Sequence, residues 1–178
     1  MVAAYYEEGP IKEAIHNFKY NNVTELAGFL SDLLAKSLQG QKPKLGKDII
    51  LTAVPMHFLK KAQRGYNQAE MLADVVAEQI SAQGGPASGW KLQKSYQIIK
   101  KIRKTKSQVS KSGKKRRENL KNSFKIIDKN IINNRNIIIV DDVTTTGTTL
   151  EECARVLKSA GAKKVWGLVV ARGWLIWQ

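Results

Sequence analysis

Ile137-Ile138-Ile139-Val140-Asp141-Asp142-Val143-Thr144-Thr145-Thr146-Gly147-Thr148-Thr149-Leu150 is the stretch whose reading decides the fold. Four consecutive branched aliphatics show no polar alternation, so the spacing predicts a strand buried on both faces. Two adjacent carboxylates, Asp141 and Asp142, end the run, and a hydroxyl-rich turn around Gly147 follows. Leu150, Cys153, Ala154 and Leu157 then recur at helical spacing, Gly161 supplies a stop, and Val165 to Ala171 reads as another strand. This is a βαβ unit whose polar loop lies at the carboxyl end of a strand, where open α/β sheets take ligands.

The loop has two chemical halves. Thr145, Thr146, Thr148 and Thr149 offer hydroxyls, and Gly147 lets backbone approach a ligand with no Cβ in the way. The helix that follows presents unpaired N–H groups, which favour an anion. Asp141 and Asp142 only accept hydrogen bonds when ionised, so they suit sugar hydroxyls or a hard cation such as Mg²⁺. A sugar phosphate satisfies both halves. Alone, an Asp-Asp pair reads more readily as a strand end; between the aliphatic run and Thr-Thr-Gly-Thr-Thr it reads as a site. Neither a Walker A loop nor a Gly-x-Gly-x-x-Gly fingerprint is present.

The segment resembles the phosphoribosyl-diphosphate (PRPP) signature of type I phosphoribosyltransferases, departing at Thr144, where many members carry an aliphatic or aromatic residue. The resemblance implies an α/β fold, a mainly parallel sheet flanked by helices, with Asp141 and Asp142 as catalytic residues. They would act on the ribose diol, and on metal through ribose hydroxyls or water. It also implies Thr145, Thr146, Gly147, Thr148 and Thr149 around the 5-phosphate, with Mg²⁺ as cofactor.

Length and composition fit that expectation. The 178 residues are 43% hydrophobic and 25% charged, enough for one domain with a substantial core. No apolar run is long enough to span a membrane and no secretory signal is visible, so a cytoplasmic location is expected. Cys153, the single cysteine, sits on the apolar face of the motif helix and reads as core. The net charge of +15 is the outlier and points to an anionic partner, either phosphorylated metabolites or nucleic acid.

Toward the N-terminus, Ile11, Ile15 and Phe18 mark one short amphipathic helix. Leu26, Leu30, Leu33, Leu34 and Leu38 mark a second, ended by Gly40. Both are expected to precede any strand, as a helical flank over residues 1–40. Lys42 to Lys47 reads as a connector, and Ile49 to Val54 as a strand ending at Pro55. The next stretch, Pro55-Met56-His57 through Arg64-Gly65-Tyr66-Asn67-Gln68-Ala69-Glu70, leads into a helix with Ala69, Leu72, Ala73, Val76 and Ile80 on one face. Arg64 and Asn67 either reach an anion or belong to a solvated turn; the residues alone leave both readings open.

Val54-Pro55 followed by Arg64-Gly65-Tyr66-Asn67-Gln68-Ala69, then Gln108, Arg116-x-x-Asn119 and Phe124, resembles the competence-associated ComF family of phosphoribosyltransferase-like proteins. The resemblance runs from Tyr6 to Ala171. It implies a pyrophosphate-binding turn at Pro55, Met56 and His57 with Arg64 and Asn67, and a link to natural transformation. Many members begin with a four-cysteine zinc segment that this sequence does not carry, and His16 and His57 supply no replacement. A short family variant and a chain starting after that segment both fit.

Residues 81–89 read as a loop. From Lys91 to Lys125 lysine and arginine dominate, with Glu118 the only acid. Ile98, Ile99 and Ile102 suggest a short strand, and Leu120 and Phe124 dock the far end. Between them, Lys104 to Arg117 has almost nothing to bury. By the resemblance, residues 98–121 form a mobile loop that folds over pyrophosphate through Arg103, Lys104, Lys106, Gln108, Arg116 and Asn119. A solvated charge run and a nucleic-acid patch are the alternatives. Trp166, Trp174 and Trp177 read as core or a subunit contact.

One phosphoribosyltransferase domain over residues 1–178 is therefore expected, moving phosphoribosyl from PRPP to a nucleophilic acceptor the sequence does not identify. The rival readings are a non-catalytic PRPP sensor and a DNA-binding component of natural transformation. Expected partners are PRPP, the acceptor, single- or double-stranded DNA or the competence machinery, and a second copy of the chain.

Overall fold

The computed structural model describes residues 1–5, 9–21, 23–40, 45–46, 48–82, 91–104 and 119–173. At its centre is strand β6, Asn136–Thr144. Ile137 and Ile139 bury toward one face with Cys153 and Leu157, while Ile138 and Val140 bury toward the other with Leu51, Leu168 and Val170. An unalternating aliphatic run is what such a two-sided position requires.

Strands β2 (Asp48–Ala53) and β7 (Lys164–Arg172) pair with β6 on either side. Two short edge strands complete the sheet: β1 (Val2–Tyr5) beside β7 and β3 (Lys91–Lys94) beside β2. The order is β1-β7-β6-β2-β3, parallel throughout. The α/β fold class is as expected. The N-terminal region differs from the expectation in one respect, because β1 comes before the two helices. Four residues with a single aliphatic of size leave no periodic signal, and backbone pairing to β7 places them.

On one face lie helices α1 (Pro10–Tyr20), α2 (Leu26–Gln39) and α4 (Gln68–Ala82). Ile15, Phe18, Leu30, Leu34, Leu38, Leu72 and Val76 fill the space beneath them. Each such side chain contributes about 1.5–3 kcal/mol by leaving water. Between β2 and α4 runs the short helix α3 (Phe58–Arg64). The other face carries α6 (Thr148–Ser159), the single turn α5 (Lys129–Ile132), and an antiparallel pair, β4 (Ile99–Lys101) with β5 (Phe124–Ile126). Ile98, Ile99 and Phe124 dock that pair on the second core cluster, while Ile102 stays exposed.

The basic stretch is thus not a single loop. Its ends form β3, β4 and β5, and residues 105–118 lie outside the described part. The loop expected at 81–89 begins later, since α4 runs to Ala82, and its remainder is also outside the described residues. Trp166 packs against the first core cluster; Trp174 and Trp177 lie outside the described residues.

Candidate active site

β2 makes its last bond to β6 through Val54 N–H and the Val140 carbonyl (2.9 Å), then departs at Pro55. β6 does not end there: it continues beside β7 as far as the Thr144–Arg172 pair. The carboxylates are therefore not a strand terminus, as the sequence suggests, but strand residues exposed where one neighbour peels away. A crevice opens at that split, at the carboxyl edge of a parallel sheet.

Strand alternation sends the two carboxylates to opposite faces. Asp142 faces α1, and its Oδ1 accepts from Lys19 Nζ at 2.9 Å and from Val143 N at 2.6 Å. Asp141 faces the Cys153 side and accepts from Asp142 N at 3.0 Å. Burial, and then repulsion by Asp142, hold the Asp141 carboxyl well above its ordinary 3.8, at about 7, with Lys19 only partly offsetting them. Burial opposes the charge on Lys19, but attraction to Asp142 and then Asp141 outweighs it and raises the pKa. Burial pushes the Cys153 thiol far up as well, which fits a core role.

Beyond β6 the chain turns through Thr145, Thr146 and Gly147 into α6. Gly147 takes φ 76°, left-handed, with no side chain capping the helix. A Cβ there would meet only Glu151 Oε1 at 3.7 Å, so backbone conformation rather than crowding calls for glycine. Thr146 and Thr148 share a hydroxyl hydrogen bond of 2.7 Å. Thr145, Thr146, Thr148 and Thr149 all line the crevice beside the first turn of α6.

The opposite wall is the turn Val54–His57. His57 is buried and caps α3, its Nδ1 accepting from Leu59 N at 3.4 Å. Asn67 donates through Nδ2 to the Val54 carbonyl (3.1 Å) and accepts at Oδ1 from Ala69 N (3.2 Å), tying this turn to the start of α4. Arg64 donates to Gln68 Oε1 at 2.8 Å and stacks 5.4 Å from the Tyr20 ring centroid. Pro55, Met56, His57, Arg64 and Asn67 all line the crevice, though Asn67 and His57 spend hydrogen bonds on holding the turn.

The cleft has a volume of about 630 Å³. Lys19, Lys60, Arg64, Lys101 and Lys104 line it against the two carboxylates. Burial, then Arg64 and Lys19, depresses the Lys60 pKa; burial, then Lys60, depresses that of Lys101. These cations crowd one another where an anion would relieve them. Of the expected loop residues, Lys104 and Asn119 line the cleft and Arg103 is exposed without lining it. Lys106, Gln108 and Arg116 lie outside the described residues.

Lys19, Tyr20, Lys60 and Lys101 are site residues that the sequence reading missed. Lys101 carried a usable signal, since it shares a strand face with buried Ile99. Lys19 carried none, because a lysine ending a helix reads as a partner for the helix dipole.

Among the described residues no three His, Cys, Asp or Glu side chains gather as a metal cage. Mg²⁺ does not need one: it keeps waters and takes one or two carboxylates together with substrate phosphates. Asp141, half-buried, and Asp142, buried, repel each other at the cleft and fit that mode of binding.

Residues 66–173 match the phosphoribosyl transferase domain family. Over 178 aligned residues the sequence is 32% identical to Competence protein F of Haemophilus influenzae, covering 96% of this chain and 72% of the relative. It is 30% identical over 163 residues to DNA utilization protein YhgH of Escherichia coli strain K12, covering 89% of this chain and 66% of that protein. Competence protein ComFC of Bacillus subtilis is 25% identical over 160 residues, with 89% and 58% covered. The chain thus spans 58% to 72% of these relatives' lengths. Among solved structures, hypoxanthine-guanine phosphoribosyltransferase from Schistosoma mansoni aligns with a TM-score of 0.45 at 13% identity, over 85% of this chain and 65% of that one. No helix among the described residues is long and apolar enough to cross a membrane. With the family match over most of its length and Competence protein F as a relative along nearly all of it, the chain belongs to the ComF group of the phosphoribosyl transferase family.

Proposed function

We propose that this protein binds PRPP with Mg²⁺ and transfers its phosphoribosyl group to a nucleophilic acceptor, releasing pyrophosphate. The observation that carries the reading is one cleft holding an adjacent carboxylate pair, a Thr/Gly helix entry and five cationic side chains. The 5-phosphate sits among the Thr145–Thr149 hydroxyls and the first N–H groups of α6. Asp141 and Asp142 hold the ribose diol. As the C1–oxygen bond to pyrophosphate breaks, positive charge grows on the ring, and the carboxylates stabilise it electrostatically. Mg²⁺, when bound, supplies neutralising charge to the diphosphate.

The Val54–His57 turn, fixed by Asn67, places backbone beside the pyrophosphate, and Lys60, Lys101 and Lys104 face its charge. Arg103 adds to this charge, and keeping water from the cleft protects the sugar diphosphate from hydrolysis.

A second reading is favoured by the relatives' names, which refer to competence and DNA utilization. In it the same cleft binds PRPP without turnover and the basic stretch contacts DNA backbone, in the service of natural transformation. Incubation with PRPP and Mg²⁺ across nucleobases and amines, reading pyrophosphate release, separates the two. Acceptor-dependent release supports the transferase; saturable PRPP binding with no release under any acceptor supports the sensor.

A further inference from the structure

Among the described residues, Lys19 is the cleft cation that pairs with a carboxylate. Its Nζ lies 2.9 Å from Asp142 Oδ1, and the side chains are 22% and 10% exposed. The contact is held from behind. α1 is anchored by the buried Ile15 and Phe18, and the Phe18 carbonyl accepts from Tyr66 Oη at 2.6 Å. Tyr20, the next residue, lies under the Arg64 guanidinium. The end of α1 is thus tied to the junction of α3 and α4, and Lys19 is aimed at Asp142 by packing rather than by chance reach.

We propose that Lys19 is a positioning residue and the chain's own counter-cation for the Asp pair, displaced from Asp142 when a divalent cation or a sugar diol takes that carboxylate. Only the identity of the diol rests on the PRPP reading; the competition for Asp142 belongs to the residues themselves. Lysine suits the task. Its ammonium is a single point charge on a flexible stem that can withdraw, whereas arginine would grip the carboxylate with a two-pronged fork.

The test is Mn²⁺ titration of the full chain, followed by calorimetry or paramagnetic relaxation, in the parent, Lys19→Met and Lys19→Arg. Removing the competing charge should tighten Mn²⁺ binding about tenfold or more in Lys19→Met, since like charges a few ångströms apart at a protein surface repel strongly. Lys19→Arg should bind no tighter than the parent, a rescue that loss of packing alone would not give. Should Lys19→Met fail to fold, Lys19→Gln carries the same expectation. Equal affinity in parent and Lys19→Met, or no measurable Mn²⁺ binding to either, overturns the proposal. A parallel PRPP titration keeps the two questions apart: tightened Mn²⁺ binding with no PRPP binding in any variant sinks the PRPP reading and leaves Lys19 as assigned.

Discussion

Asp141→Asn should make the free protein more stable, and by an amount that depends on pH. The carboxyl is held at about 7 against an ordinary 3.8, because burial and Asp142 both disfavour its charge. A raised carboxyl pKa means that the folded state binds more protons than the unfolded one between those values. Stability therefore falls as pH rises from about 4 to 7 and stays low above that. At the limit the penalty is ~4 kcal/mol. Asparagine keeps an oxygen to accept from Asp142 N, but Lys19 and Lys101 each lose an attraction, so about 1–3 kcal/mol is expected at pH 8. For a chain of this length that raises Tm by roughly 3–10 °C. Urea unfolding of parent and variant at pH 4.5, 6, 7 and 8 is the assay. The difference should be small at the lowest pH and level off above 7. A pH-independent difference, or a variant less stable than the parent at pH 8, would refute the reasoning.

Other outcomes follow from the same geometry. Ligand binding at the carboxylates should expel a proton from Asp141, whose pKa is raised to about 7, so the dependence of PRPP–Mg²⁺ enthalpies on the buffer's ionisation heat near that pH should diminish in Asp141→Asn. Gly147→Ala should cost ~1 kcal/mol in thermal unfolding through its φ of 76°, and should weaken PRPP by a larger factor because a methyl then stands at the phosphate loop. Lys60→Ala and Lys101→Ala should each weaken PRPP about tenfold while changing stability little, since burial and neighbouring cations already disfavour both charges. Cys153, fully buried with its thiol pKa pushed far up, should resist alkylation until the protein unfolds.

Much of this was legible in the sequence because its signals are local. The aliphatic run Ile137–Val140 could only be a doubly buried strand, and the apolar stripe from Ala69 to Ile80 could only be a helix on a sheet. What escaped was set by pairing and distance. β3 is Lys-Leu-Gln-Lys, with three of four side chains exposed, and its place comes from backbone bonds to β2. The continuation of β6 past Asp142 depends on β7 still being alongside, which no local pattern announces. Lys19 reaches the site because Phe18 packs beneath α1, a tertiary fact. Asn67, singled out as an anion contact, makes two hydrogen bonds to the chain itself. Spacing could identify the residue as special but could not say which partner it serves.

The central claim is that Asp141 and Asp142 form the sugar- and metal-responsive half of a PRPP site. Calorimetric titration of PRPP with and without Mg²⁺, in the parent and in Asp141→Asn/Asp142→Asn, tests it most directly. The account predicts saturable binding to the parent that Mg²⁺ strengthens, and a folded double variant that has lost the Mg²⁺-dependent part. A double variant that binds PRPP–Mg²⁺ as the parent does, or a parent that binds none, would contradict it.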